Sequence, residues 1–109
     1  MSRYSIHLTI GHNVKGTPTL TTSEVCEYVS EYLGVCGFTA MECAGMWQGE
    51  REDSTRIEIC ALDKNEVNSI LSVIPDLACA LCQDSIMCEV RPDRVQFIDS
   101  YTIEATMTA

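Results

Sequence analysis

The chain has 109 residues, 46% of them hydrophobic, and carries seven basic against sixteen acidic side chains, a formal net charge of −9. That length predicts one domain, residues 1–109, with a modest core, and the acidity argues against nucleic acid, which is bound by Lys and Arg displacing counterions. No apolar stretch is long enough to cross a bilayer and no charged leader precedes an apolar run, so the expectation is a cytoplasmic protein with no membrane partner.

Residues 4–10 alternate apolar and polar side chains, the period of a half-buried strand. Residues 11–18 are turn-rich and read as a loop. Thr21-Thr22-Ser23-Glu24 has the spacing of a capping box. Behind it Val25, Cys26, Val29, Tyr32, Leu33 and Cys36 recur at helical spacing, with Gly34 or Gly37 as the stop. Residues 38–47 read as a second strand, 49–53 as a polar turn, and 55–62 as a third strand, which together make a hairpin. Asp63-Lys64-Asn65-Glu66 offers a second helix cap. Val67, Ile70, Leu71 and Ile74 follow as one helical stripe, which Pro75 is expected to end or kink. Residues 76–82 add a helical turn or two, and 85–90 form a fourth strand that Pro92 closes. Residues 95–98 and 101–107 read as short strand-like tails. Tyr101, Ile103, Ala105 and Met107 share one face of the last tail and need something to pack on.

The order β-α-β-β-α-β predicts an α+β, ferredoxin-like sandwich with short C-terminal strands. Both helices cover one sheet face. The other face wants cover, which in so short a chain comes from other subunits.

Cys26, Cys36, Cys43, Cys60, Cys79, Cys82 and Cys88 mostly fall at apolar phases of these elements, where a reduced thiol acts as a small hydrophobe. Cys79-Ala80-Leu81-Cys82 has the spacing of half a zinc site or of a redox motif. No second pair completes it, so helical core packing is the expectation and no metal is assigned. His7 shares the polar phase of the first strand with Ser5 and Thr9, and His12 falls in the loop. Neither has a partner at metal or triad spacing, and both read as surface histidines.

The dense constellation is the hairpin. Glu50, Glu52 and Asp53 lie within four residues, with Arg51 among them and Trp47 and Ser54 on either side. Such carboxylates repel one another, and a cationic ligand relieves that repulsion. An aromatic such as Trp47 can meet a sulfonium or ammonium by cation–π attraction. The plainer reading is a solvated hairpin tip. Glu89, between Cys88 and Val90, needs a partner if it faces inward, and faces solvent by default.

The segment Gly45-Met46-Trp47-Gln48-Gly49-Glu50-Arg51-Glu52-Asp53-Ser54-Thr55-Arg56-Ile57 resembles the aromatic-x-Gly hairpin of PII-like and CutA-like trimers. More narrowly, it is similar to small phage-encoded S-adenosylmethionine-degrading enzymes. Those carry an aromatic before an acidic loop, then a strand, a helix and a strand near a Gln-Asp pair, as in Gln83-Asp84-Ser85-Ile86-Met87. The resemblance covers roughly residues 38–98 and rests on pattern more than identity.

It implies an S-adenosylmethionine lyase: a PII-like homotrimer with sites between subunits, without metal or cofactor. The substrate's own carboxylate attacks its γ-carbon and expels methylthioadenosine, leaving homoserine lactone. The protein's task is to hold a near-attack conformation and exclude water. By position, Glu52 matches the essential acid that engages the substrate's ammonium group, with Asp53 as the one-residue alternative. Trp47, where the family has an aromatic, together with Glu50, Ser54 and Glu89, falls among the implied substrate contacts. A phage origin, a place in the host cytoplasm and an anti-restriction role follow from the same resemblance. Two other functions stay open. A PII-like regulator would bind a nucleotide or other small molecule without turnover, for which Arg3, Lys15, Arg51 and Arg56 are the basic residues before Lys64. An acidic decoy for a DNA-binding protein would need carboxylates spread over one face.

Overall fold

The alternation of the first strand sets the architecture, since it divides each strand into a side that must be buried and a side that need not be. The computed structural model describes residues 2–100. Its elements run β1 (Tyr4–Gly11), β2 (Asn13–Val14), β3 (Thr17–Pro18), α1 (Thr22–Leu33), β4 (Thr39–Trp47), β5 (Glu50–Leu62), α2 (Lys64–Ala80) and β6 (Met87–Pro92). The main sheet has the order β4-β5-β1-β6 with antiparallel neighbours. Setting aside the small β2–β3 hairpin, this is the ferredoxin-like arrangement.

The core is the alternate set Ile6, Leu8, Ile10, Ile57 and Ile59 of the two central strands. It packs with Val25 and Val29 of α1, Val67, Ile70 and Leu77 of α2, and Leu81 beyond it. Both helices start in complete capping boxes, Thr21 with Glu24 and Asp63 with Glu66, and α1 ends at Gly34 in the left-handed conformation. The local signals in the sequence therefore fix both helix starts.

Several expectations change. Residues 11–18 are not simply a loop: β2 and β3 pair across Lys15 and Gly16, whose positive φ values of 51° and 80° suit a two-residue hairpin turn. The main hairpin turns at Gln48-Gly49, with φ values of 51° and 82°, so Glu50 to Asp53 belong to β5 and not to the turn. Pro75 neither ends nor divides α2, which runs through it. Pro75 itself is exposed, while Ile70 before it and Leu77 after it are buried in the core, which keeps the second half of the helix in register. Residues 95–98 form no strand. The β1–β6 ladder ends at Tyr4 and Pro92, with one further bond from Asp93 N–H to the Arg3 carbonyl, and there is no more of β1 to pair with. The expected tail at 101–107 lies outside the described residues. Cys36, Cys43, Cys60, Cys79 and Cys82 are exposed, so most of the thiols are not core hydrophobes, and Cys79 and Cys82 do not pack in the core at the end of α2.

Both helices pack on the core side of the sheet, which leaves the other side as its open face. Cross-strand register places Thr39, Glu58, His7 and Glu89 in one row on it, and Met41, Arg56, Thr9 and Met87 in the next. Cys43, Ser54 and Gly11 make a third row, and Gly45 with Glu52 a fourth. No helix among the described residues is long and apolar enough to cross a membrane.

Candidate functional site

β5 outruns β1. The last shared row pairs Ser54 with Gly11, and Glu52 stands one row further on the same open face. Its side chain leans back over the end of β1. A Cβ placed on Gly11 would lie 2.5–2.6 Å from the Glu52 carboxyl atoms, so only glycine leaves room for the carboxylate there. Asn13 N–H donates to Glu52 Oε2 at 3.1 Å. A carboxylate bonded to a backbone donor of a tied-down loop is fixed before any ligand arrives.

Three elements tie that loop. His12 N–H donates to the Asp53 carbonyl at 2.9 Å, and the His12 carbonyl accepts from Thr19 and Leu20 N–H, each at 3.0 Å. The His12 ring meets Thr55 Oγ1 at 2.7 Å, and Thr55 Oγ1 lies 2.9 Å from Thr22 Oγ1 at the start of α1. Gln83, just past α2, donates its side-chain N–H to the Asn13 carbonyl at 3.0 Å. Gly11, His12 and Asn13 are thus held from β5, from α1 and from the end of α2.

His12 is no surface histidine: it is 7% exposed and its partner Thr55 is 0% exposed. Extending Ile6, Leu8 and Ile10 by one step assigns position 12 to the buried side, a signal already present in the sequence. His7 is also largely covered. It bonds Ser5 Oγ at 2.9 Å, accepts from Arg56 Nη2 at 3.1 Å and lies 3.6 Å from Glu58.

The acidic run separates by strand alternation. Glu52 and Ser54 share the open face, Ser54 being buried there, while Asp53 lies on the opposite phase and faces Arg51 at 3.6 Å, both well exposed. Glu50 is exposed beside the turn, on the phase of Glu52. The side chain of Trp47 lies outside the described residues. Glu89 pairs in register with His7, four residues along β1 from Gly11, a separation of roughly 13 Å. Within one protomer it does not join Glu52. The Arg91 guanidinium hydrogen-bonded to Glu89 holds its carboxyl below the ordinary carboxylate value, and Arg56, 3.8 Å away, adds to this. Among the described residues no group of three or more His, Cys, Asp or Glu side chains could hold a metal ion.

The hairpin carboxylates stand out in the sequence, but the residues that hold Glu52 and its loop do not: Gly11, His12, Asn13, Thr22 and Thr55. Gln83 stands out in the sequence for its place beside Asp84, not for its grip on the loop.

No family model matches the chain, and no curated protein is similar to it. Solved structures share its fold. One is a phage SAM lyase in complex with S-methyl-5'-thioadenosine, 21% identical over 83% of this chain and 81% of that one, with a TM-score of 0.61. Another is a phage SAM lyase in the apo state, 21% identical over 94% of each chain, with a TM-score of 0.64. At that identity the likeness is one of fold.

Proposed function

We propose that this protein cleaves S-adenosylmethionine to methylthioadenosine and homoserine lactone. The observation that carries this reading is the Glu52 carboxylate, fixed over Gly11 by Asn13 N–H on the open face of the sheet. The fold shared with phage SAM lyases supports it.

The chemistry suits a site with one anchored anion. Glu52 accepts a charge-assisted hydrogen bond from the substrate's ammonium group. With that end held, the amino-acid chain folds so that a carboxylate oxygen faces the γ-carbon opposite sulfur. The O–Cγ bond forms as the Cγ–S bond breaks, and the electron pair of the broken bond neutralises the sulfonium. No proton moves, so neither histidine is needed as an acid or base. Opposite charges cancel along the reaction, which a site closed to water favours.

Asp53 is the weaker candidate for the essential acid, because Arg51 engages it on the other phase of the strand. Glu50, Ser54 and Trp47 belong to the same hairpin, and we assign them to substrate contacts. The assembly in this reading is a homotrimer packed through the open sheet face, with sites between subunits, and Glu89 contributes from the adjacent copy. A nucleotide-binding regulator is less well supported: on the same face Arg56 and Arg91 are already paired with Glu58 and Glu89. Incubating the purified protein with S-adenosylmethionine and identifying the products tests the proposal, and substrate that stays bound but unchanged would favour the regulator.

A further inference from the structure

The end of α2 closes with two hydrogen bonds, Gln83 N–H to the Ala78 carbonyl at 2.9 Å and Cys82 N–H to the Cys79 carbonyl at 3.1 Å. These are the 6→1 and 5→2 bonds of a Schellman cap, whose left-handed position is usually glycine. Here that position is Cys82, at φ 54°. α1 ends at Gly34, at φ 62°, where no Cβ is crowded. Cysteine keeps the strain that glycine would remove. What it adds is a second thiol, three residues after that of Cys79, and both residues are exposed. The first and fourth residues of a hydrogen-bonded turn have Cα atoms within about 7 Å, which overlaps the range of roughly 4.4–6.8 Å found across disulfides. Leu77 and Leu81, buried at 0% and 2%, anchor the turn to the core.

The next residue connects this turn to the candidate site. Gln83 donates to the Asn13 carbonyl, and Asn13 N–H donates to Glu52. Two side-chain hydrogen bonds therefore separate the cysteine pair from the Glu52 carboxylate.

We propose that Cys79 and Cys82 are a thiol–disulfide site for low-molecular-weight disulfides such as glutathione disulfide, and that closing it locks the hold of Gln83 on Asn13. The thiolate of one cysteine attacks glutathione disulfide and releases one glutathione thiolate. The thiolate of the other cysteine attacks the mixed disulfide and releases the second. One S–S bond breaks in the oxidant, one forms in the protein, and the two cysteine protons end on two glutathione thiols. The cross-link restricts a turn whose left-handed residue otherwise favours relaxation, so Gln83 is held more firmly in the oxidised form. The site does not depend on which reaction the protein catalyses.

The test uses the full chain, reduced and then equilibrated with glutathione disulfide, with remaining thiols alkylated and peptides weighed. Hydrogen exchange is followed at the Asn13 and Gln83 amides in both states. The expected result is a peptide in which Cys79 and Cys82 have lost two hydrogens and escape alkylation, with Asn13 exchange slowed about threefold or more. Cys82→Gly removes the thiol and the strain together. It should show slow Asn13 exchange in both states and carry glutathione on Cys79 instead of an internal disulfide. Absence of the Cys79–Cys82 bond, preferential pairing with Cys36, Cys43 or Cys60, or a bond that leaves Asn13 exchange unchanged would each overturn the proposal.

Discussion

The Glu52 carboxylate fills the space in which a side chain at position 11 would stand, 2.5–2.6 Å from where a Gly11 Cβ would be. Gly11 is not among the positive-φ glycines, so its backbone accepts alanine, and the group in the way is the far end of a flexible side chain. Gly11→Ala should therefore change stability by less than about 1 kcal/mol while pushing Glu52 off Asn13 N–H. A displacement of that kind costs on the order of a hundredfold in rate. Thermal unfolding and S-adenosylmethionine turnover measured on the same sample check this, and a variant with full activity would show that the position of Glu52 is immaterial.

Substitutions along the hairpin should separate by strand phase. Glu52→Gln keeps the shape and removes the charge, for a loss of about 2–4 kcal/mol of transition-state stabilisation, roughly a thirtyfold to thousandfold slower reaction. Asp53→Asn should stay within a few-fold of the parent, since Asp53 faces Arg51 on the other phase. Glu50→Gln should fall between them. Steady-state rates at saturating substrate give the ranking, and Asp53→Asn as the most damaging change would move the essential acid by one residue.

His12→Ala should lower stability and rate together, unlike Gly11→Ala. It takes the ring-nitrogen partner from the hydroxyl of Thr55, which is 0% exposed, and leaves only the Thr22 hydroxyl beside it. Leaving a buried polar group short of a partner costs about 1–3 kcal/mol, and in a domain of this size each kcal/mol lowers Tm by roughly 4–8 °C. The same change frees the loop that carries Asn13. Calorimetry and turnover test the two effects, and an unchanged Tm would mean that the buried contacts of His12 hold nothing in place.

Assembly is separately testable. The open face carries exposed Met41 and Met87 in the row of Arg56 and Thr9. The proposed trimer should appear in light scattering at micromolar concentration as three times the protomer mass. Met87→Asp, which sets a charge in that face, should shift it toward monomer. A monodisperse monomer for the parent protein would end the shared-site part of the proposal.

The parts of the fold that the sequence makes legible are those governed by near neighbours. Thr21 with Glu24 and Asp63 with Glu66 fix the two helix starts within three residues, and the alternation in β1 is local too. The hairpin is less legible because Gln48-Gly49 lacks the Asn-Gly or Asp-Gly pair that marks such turns, and the charged run after it looks more turn-like than the turn itself. Glu50 to Asp53 stay in a strand because β4 pairs with them beyond the end of β1. At Pro75, likewise, core burial on either side outweighs the local preference. The support of Glu52 joins positions 11–13 to 52–55 and 83, contacts that only the closed sheet creates.

The most direct measurement follows S-adenosylmethionine by NMR from the first moments of reaction with the purified protein in metal-free buffer. The account predicts methylthioadenosine and homoserine lactone appearing in equal amounts, with free homoserine arising only later as the lactone opens in water. Homoserine formed from the outset without lactone would mean that water, not the substrate's own carboxylate, attacks the γ-carbon. Substrate left intact beside folded protein would contradict the proposed activity altogether.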